Sequence, residues 1–425
     1  MQSAEAKFYD KIDSAESRDF KMHYSPWRSS ATPQTWRIPG PRQSSDIHAF
    51  VVMPLLATVL CLLTTESQNK ALEPVVAQGL SPSPGWHQIP NTQLASLCPA
   101  DPSIEGNSGC RTIISAWNGG VADTKRDRLI IWGGGHNAYY GNEVYALDLS
   151  HMVMLRLTEP SPVTNVMSCP EEYADGRPSA RHTYGGLAYL PDQDKMFVYG
   201  GSKAACGFMS DGTWTLDLAK LDWKNMNRNS ADRPANNPGT IAEHDPNSGM
   251  VFLSDTASLF RYDPAQNKYT RLKSISGMDY HLSGVIDPGR KLFFMMGGPG
   301  QLWAVDIGEE SKFAVEDWSQ KVTGCELLLY SQSPGLAYEP ERKLIVGWAG
   351  GDTIHLFHPD TRKCSSETYS GGPGPAQANG TFGRFRYLPH LGVFVLINDW
   401  KQNAFLLRLA PNVKPVATPT HPGNN

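Results

Sequence analysis

The sequence predicts an all-β chain folded as a β-propeller of six blades, with room for a seventh and the ring closed by an N-terminal strand. Three observations predict it. A strand–turn–strand unit recurs, clearest from Ala180, Asp279 and Tyr330, weaker near Asn236 and Thr381, and first seen from Ser115. The turn prolines Pro191, Pro246, Pro288, Pro340 and Pro389 fall 55, 42, 52 and 49 residues apart. Gly and Pro are abundant, 39 and 32 of 425 residues, which favours many short strands over long helices. A period of about 40–50 residues with four strands per unit marks a blade, a small sheet that buries both faces only against its neighbours.

In chain order, residues 1–48 are polar and mixed in charge, and are expected to be disordered or to follow a mis-assigned start. Residues 49–66 carry the uncharged run Ala49–Leu63. It is shorter than the roughly 20 residues of a membrane span. Its length suits a secretory h-region or a non-cleaved anchor. Residues 67–83 read as a linker, 84–411 as the propeller and 412–425 as a disordered tail. Within each unit a small-residue strand turns at a Pro/Asp/Gly/Arg cluster, runs back as an apolar strand, and is followed by a third strand such as TWTLDL or QLWAVDI. The last unit ends after three strands, and the segment from Gly85 to Pro90 can supply its fourth. The stretch between Asp148 and Arg177 reads as an inserted loop, or as the hiding place of a seventh unit.

Of seven cysteines, Cys61 lies in the apolar run. The other six suggest disulfides and an oxidising compartment, so the protein is expected to be secreted or periplasmic. Sequence order makes Cys98–Cys110, Cys169–Cys206 and Cys325–Cys364 the simplest of 15 connectivities. With 38 Lys+Arg against 42 Asp+Glu, the chain lacks the excess of basic charge that phosphate binding needs. No nucleic-acid partner is expected, nor a membrane span in the mature chain, and the protein is expected to be a monomer.

In a propeller the start of each innermost strand and the loop joining strands two and three open on the same face. That geometry gathers Asn118, His136, Tyr139, Asn142, Arg181, His182, Tyr184, Lys203, Tyr280, His281, Arg384 and Arg386 around one mouth. Such a set suits an anionic, polar ligand. By strand alternation His182 and Tyr184 share one face, and Arg181 and Thr183 the other. Each residue also has a structural reading: His136 as an exposed turn residue, Tyr184 and the Tyr280–His281 pair as core, and Arg384 with Arg386 as blade-to-blade ion pairs. His244 falls in a turn at the opposite end and is set aside.

The Gly-Gly pairs at 134–135, 200–201, 297–298 and 350–351, with the third-strand aromatics Tyr145, Trp214 and Trp303, resemble the kelch-type propellers, the class that includes galactose oxidase. The likeness spans about residues 84–411. Three functions follow from it as expectations. The first is a polysaccharide lyase cleaving a uronate-containing glycan by β-elimination, as in the ulvan lyase-like propellers, whose rings have seven blades. That resemblance makes His136, Tyr184, His281 and Arg181 catalytic, with Lys203 in a loop where a cation is expected and Asn118 where a second histidine would stand. Asn118, Tyr139, Asn142, His182, Lys203, Tyr280, Arg384 and Arg386 would then bind an anionic polysaccharide or oligosaccharide. The second is a non-catalytic propeller that binds glycan or protein. The third is a copper radical oxidase, in which Tyr280 and His281 resemble a copper-ligand pair and Cys206 is the cysteine nearest the mouth. Copper enters only there; no other cofactor is predicted, and a structural calcium or zinc ion stays open.

Overall fold

The computed structural model describes residues 81, 83–226, 232–235, 237–308 and 312–411. The expected disordered or mis-assigned start, the apolar run with Cys61, most of the linker and the tail lie outside the described residues. Six four-stranded antiparallel sheets and one two-stranded ribbon make up the described chain. Blade 1 comprises Gly120–Asp123, Arg128–Ile131, Tyr145–Asp148 and Val153–Arg156. Blade 2 comprises Leu187–Leu190, Lys195–Tyr199, Thr213–Asp217 and Asp222–Asn225. Blade 3 runs through Ile241–His244, Val251–Ser254, Ser258–Asp263 and Lys268–Ser274. Blade 4 runs through Leu282–Asp287, Leu292–Gly297, Gln301–Asp306 and Val315–Asp317. Blade 5 runs through Gly335–Glu339, Leu344–Trp348, Thr353–His358 and Lys363–Thr368. Blade 6 has three late strands, Phe385–Leu388, Val393–Leu396 and Phe405–Arg408, and takes its outermost strand, Gly85–Gln88, from the start of the described residues. The expected closure is therefore present, with Trp86 opposite Leu407. The innermost strands pack one on the next, and Gly120–Asp123 against Phe385–Leu388 completes a ring of six.

The hydrophobic core is divided among the junctions between blades. Trp132, Val198 and Trp214 fill the gap between blades 1 and 2. Phe294, Leu336 and Phe357 fill that between blades 4 and 5. Trp86, Trp348 and Phe405 fill that between blades 5 and 6. Each large apolar side chain so buried contributes about 1.5–3 kcal/mol relative to exposure. A blade whose neighbour is removed loses that contribution along a whole face, so closure and stability are the same event.

The six inner strands align in register to the residue. At the first hairpin of blades 1, 3, 4 and 5 stand Asp123, Asp245, Asp287 and Glu339, all buried. Each accepts backbone N–H bonds from its own turn, as from Arg126, Ser248, Arg290 and Arg342. These carboxylates satisfy donors that a tight turn would otherwise leave unpaired.

All three expected disulfides are formed, Cys98–Cys110, Cys169–Cys206 and Cys325–Cys364. Disulfides persist in oxidising compartments, so they suggest an extracellular or periplasmic protein. No helix among the described residues is long and apolar enough to cross a membrane. The stretch between blades 1 and 2 forms no seventh blade; it is a loop with one 3-10 turn, Val166–Ser168, pinned to blade 2 by Cys169–Cys206.

Candidate functional site

The ring has two ends. The entry face carries the starts of the inner strands and the loops between second and third strands. The proline face carries the first hairpins. The polar residues expected at one mouth divide between surface, interior and the opposite end.

His136 lies on the second-to-third loop of blade 1 and is exposed. Its backbone is left-handed, φ 49°, an uncommon state for a residue other than glycine. Two loop bonds hold it there, His136 N–H to the Lys203 carbonyl at 3.2 Å and Ala205 N–H to the His136 carbonyl at 2.9 Å. Gly207 passes beneath its ring, where a β-carbon would stand 2.4 Å from Cδ2. The rings of His136 and His182 are 6.0 Å apart, and Trp117 packs on the far side of His182 at 5.3 Å.

His182 does not belong to the inner strand of blade 2. Arg181–His182 pairs with Ser202–Lys203 as a separate ribbon, and the inner strand starts only at Leu187. Tyr184, at φ 49°, breaks the alternation between them. The expectation that His182 and Tyr184 share a strand face therefore fails, because a left-handed residue turns the chain. Both are buried, at 3% and 7% exposure. The Nε2 of His182 has no hydrogen-bond partner. Burial, with the nearby His136, drops the His182 imidazole to about 3, so it is neutral. Burial, with Tyr280 as neighbour, pushes the Tyr184 phenol up to about 12. Its hydroxyl makes no hydrogen bond among the described residues.

At the start of blade 4 the Tyr280 and His281 rings lie 3.6 Å apart. His281 Nδ1 is 2.7 Å from Asp279 Oδ1, which also accepts the His281 backbone N–H at 2.8 Å. The carboxylate selects the Nδ1–H tautomer and leaves the Nε2 lone pair available, the arrangement of an oriented base.

Arg181 is fully buried and saturated. It donates to Glu171 at 3.0 Å, to the Ser210 hydroxyl at 3.0 Å and to the Ser179 carbonyl at 3.0 Å. Lys203 Nζ approaches the same Glu171 carboxylate at 3.8 Å. Two cations thus share one anion, and the balance beside His136 is positive. Burial raises the Glu171 carboxyl, but Arg181, Trp214 and Ser210 outweigh it and hold it below the ordinary range.

Several expected binding residues are structural ties. Asn118 holds the Thr112 carbonyl and the Thr183 N–H. Tyr139 donates to Glu143 at 2.7 Å, and Asn142 bridges Ser161 and the Pro178 carbonyl. Arg384 and Arg386 are separated. Arg384 ends a 3-10 turn, Phe382–Arg384, and gives its buried guanidinium to the carbonyls of Asn118, Gly380 and Ile397. With no carboxylate beside it, burial lowers it to about 9. Arg386 faces the ring axis and donates to both Glu243 oxygens, at 2.9 and 3.2 Å. Blades 3 and 6 are opposite in a ring of six, so this pair spans the channel.

Asp279 and Glu171 were not singled out in the sequence. Asp279 could have been, standing two residues before a candidate histidine. Glu171 had only Cys169 nearby as a pointer, since the inserted loop has no counterpart in the repeats. The exposed large apolar side chains are Met167, Phe208, Tyr280, Leu327 and Tyr330. All five lie in segments opening on the entry face.

The residues do not fit the copper radical oxidase reading. Every cysteine among the described residues is in a disulfide, Cys206 included, so no thiol is left to cross-link a tyrosine. Among the described residues no three His, Cys, Asp or Glu side chains gather as a metal-ligating group.

No family model and no curated protein matches the chain. Its likenesses are to solved structures. YjhT shares 12% identity over 70% of this chain and 96% of its own, with a TM-score of 0.48. A structural genomics protein of unknown function from Bacteroides thetaiotaomicron shares 9% identity over 77% and 76%, with a TM-score of 0.47. TolB from Acinetobacter baumannii shares 14% identity over 60% of this chain, which spans 54% of TolB, with a TM-score of 0.38. At such identity and overlap they say nothing about activity.

Proposed function

We propose that the protein is a kelch-type, carbohydrate-active propeller that takes a uronate-containing glycan on its entry face and cleaves it by β-elimination. One observation carries the reading. Among the described residues the buried Nε2 of His182 has no hydrogen-bond partner, its ring stands 6.0 Å from that of the exposed His136, and the buried Tyr184 has Tyr280, the neighbour of His281, close enough to raise its phenol. Buried polar groups in folded proteins are paired, so an unpaired imidazole nitrogen beside an exposed histidine suits a polar ligand.

The chemistry assigns roles. His136, with the positive balance left by Arg181 and Lys203 on Glu171, faces the carboxylate and makes the proton alpha to it more acidic. His281 Nε2 takes that proton, and the electron pair forms the new double bond as the C4–O4 bond breaks. Tyr184, held protonated, donates to the departing O4. Phe208 and Tyr330, 71% and 67% exposed, offer ring faces to neighbouring sugars. A second reading, glycan binding without turnover, is favoured by the saturation of Arg181, which leaves no guanidinium for the carboxylate.

Ultraviolet absorbance from the new double bond, followed with uronate polymers, tests the first reading. Absence of any rise alongside retained binding on a glycan array selects the second.

A further inference from the structure

On the proline face the ring encloses a cavity of about 350 Å³, distinct from the histidine–tyrosine face. Its wall repeats one pattern six times, each inner strand giving two consecutive residues and its hairpin the residue two positions further on. At the first of these positions Val121, Ala188, Val285 and Ala337 form a small apolar belt with the crossing pair Glu243–Arg386. At the second stand Tyr189, His244, Tyr338 and Tyr387, with Ala122 and Ile286. The lip is prolines in five blades and Thr124 in the sixth.

We propose that this cavity binds an uncharged, hydroxyl-bearing ring, a neutral sugar residue. Four features argue for that chemistry. First, Arg386 reaches both Glu243 oxygens, so the pair is internally balanced. A charged ligand would have to break it and strand one buried charge, which is strongly unfavourable. A hydroxyl both donates and accepts, and can join the pair's edge without breaking it. Second, the small apolar belt and the tyrosine rings suit the C–H faces of a pyranose, while their hydroxyls suit its rim. Burial holds His244 below its usual range and Tyr387 at about 12, so that ring of side chains is uncharged at neutral pH. Third, proline has no N–H, so five of the six turns lack at that residue the backbone donor on which an anion or an added peptide strand would rely. Fourth, the volume sits at the lower end of the range for small-ligand sites, about 300–1,000 Å³.

The test is calorimetric titration of the full chain with methyl glycosides of glucose, galactose and mannose, their disaccharides, glucuronate and a proline-rich peptide. Saturable binding of a neutral glycoside is expected. It should weaken at least tenfold in Tyr387→Ala and be lost in Ala337→Phe, which fills the belt without touching the ion pair. Tyr387→Phe keeps the ring face and should retain most of the affinity, which guards against misreading an unfolded Tyr387→Ala. Uronate-polymer binding on the entry face should be unchanged in all three variants, so this proposal can fail while the function proposed above stands, and the reverse. Failure of every neutral glycoside to bind, preference for glucuronate or the peptide, or binding indifferent to Ala337→Phe would each overturn it.

Discussion

Tyr184 and His182 concentrate the evidence for a ligand site, and each makes a measurable claim. Replacing Tyr184 by Phe removes one oxygen that makes no hydrogen bond among the described residues. Stability should hold, glycan binding should persist, and turnover should fall by about 10²–10⁴, the usual worth of a positioned acid. Retained turnover would remove Tyr184 from the chemistry. His182 predicts a pH dependence. Its native value is depressed to about 3, whereas an unfolded histidine titrates near 6.5. Between these values the unfolded chain binds the extra proton, so the contribution is present above about pH 6.5 and lost as pH falls toward 3. The slope approaches 1.4 kcal/mol per pH unit. Thermal melts from pH 7 to pH 4 should decline less steeply in His182→Phe than in the unaltered protein, and parallel declines would refute this.

Among the loops and strands, the inserted loop between blades 1 and 2 matters most to the entry face. It delivers Glu171 to Arg181 and Lys203, and Cys169–Cys206 holds it in place. The double variant Cys169→Ser, Cys206→Ser should lose about 2–4 kcal/mol of stability, read by denaturant melts. It should also weaken uronate-glycan binding, because the charge balance beside His136 depends on that loop staying docked. Undiminished affinity in a folded double variant would show that the loop has no part in binding. The hairpin prolines and capping carboxylates of the inner strands were visible in the sequence as a repeat, since a turn is built from adjacent residues. The ribbon Arg181–His182 with Ser202–Lys203 was not visible, since it departs from the repeat and depends on pairing across 20 residues.

For the ring as a body, closure by Gly85–Gln88 makes the first described strand part of the last blade. Trp86 is 6% exposed and packs edge-on against Trp348 and Phe405. Trp86→Ala should cost about 3–5 kcal/mol and lower the unfolding midpoint of the whole propeller in one transition. A midpoint within a degree of the unaltered protein would mean that the strand is not the closure. The Glu243–Arg386 pair spans the same ring from within. It joins blades 3 and 6 across the axis.

Six blades against seven, and the disulfide pairing beyond its simplest form, were decided only by the structure. The propeller, the register of its hairpins and the closing strand could be read from the chain, because a unit written in short-range spacing recurs. The division of the polar residues into tied and untied could not. Arg181 answers to a loop carboxylate ten positions earlier, Arg384 to a carbonyl 266 positions away, and Arg386 to a glutamate 143 positions away. Only folding brings those partners within hydrogen-bond distance, and that distance separates a side chain that holds the ring together from one left to meet a ligand.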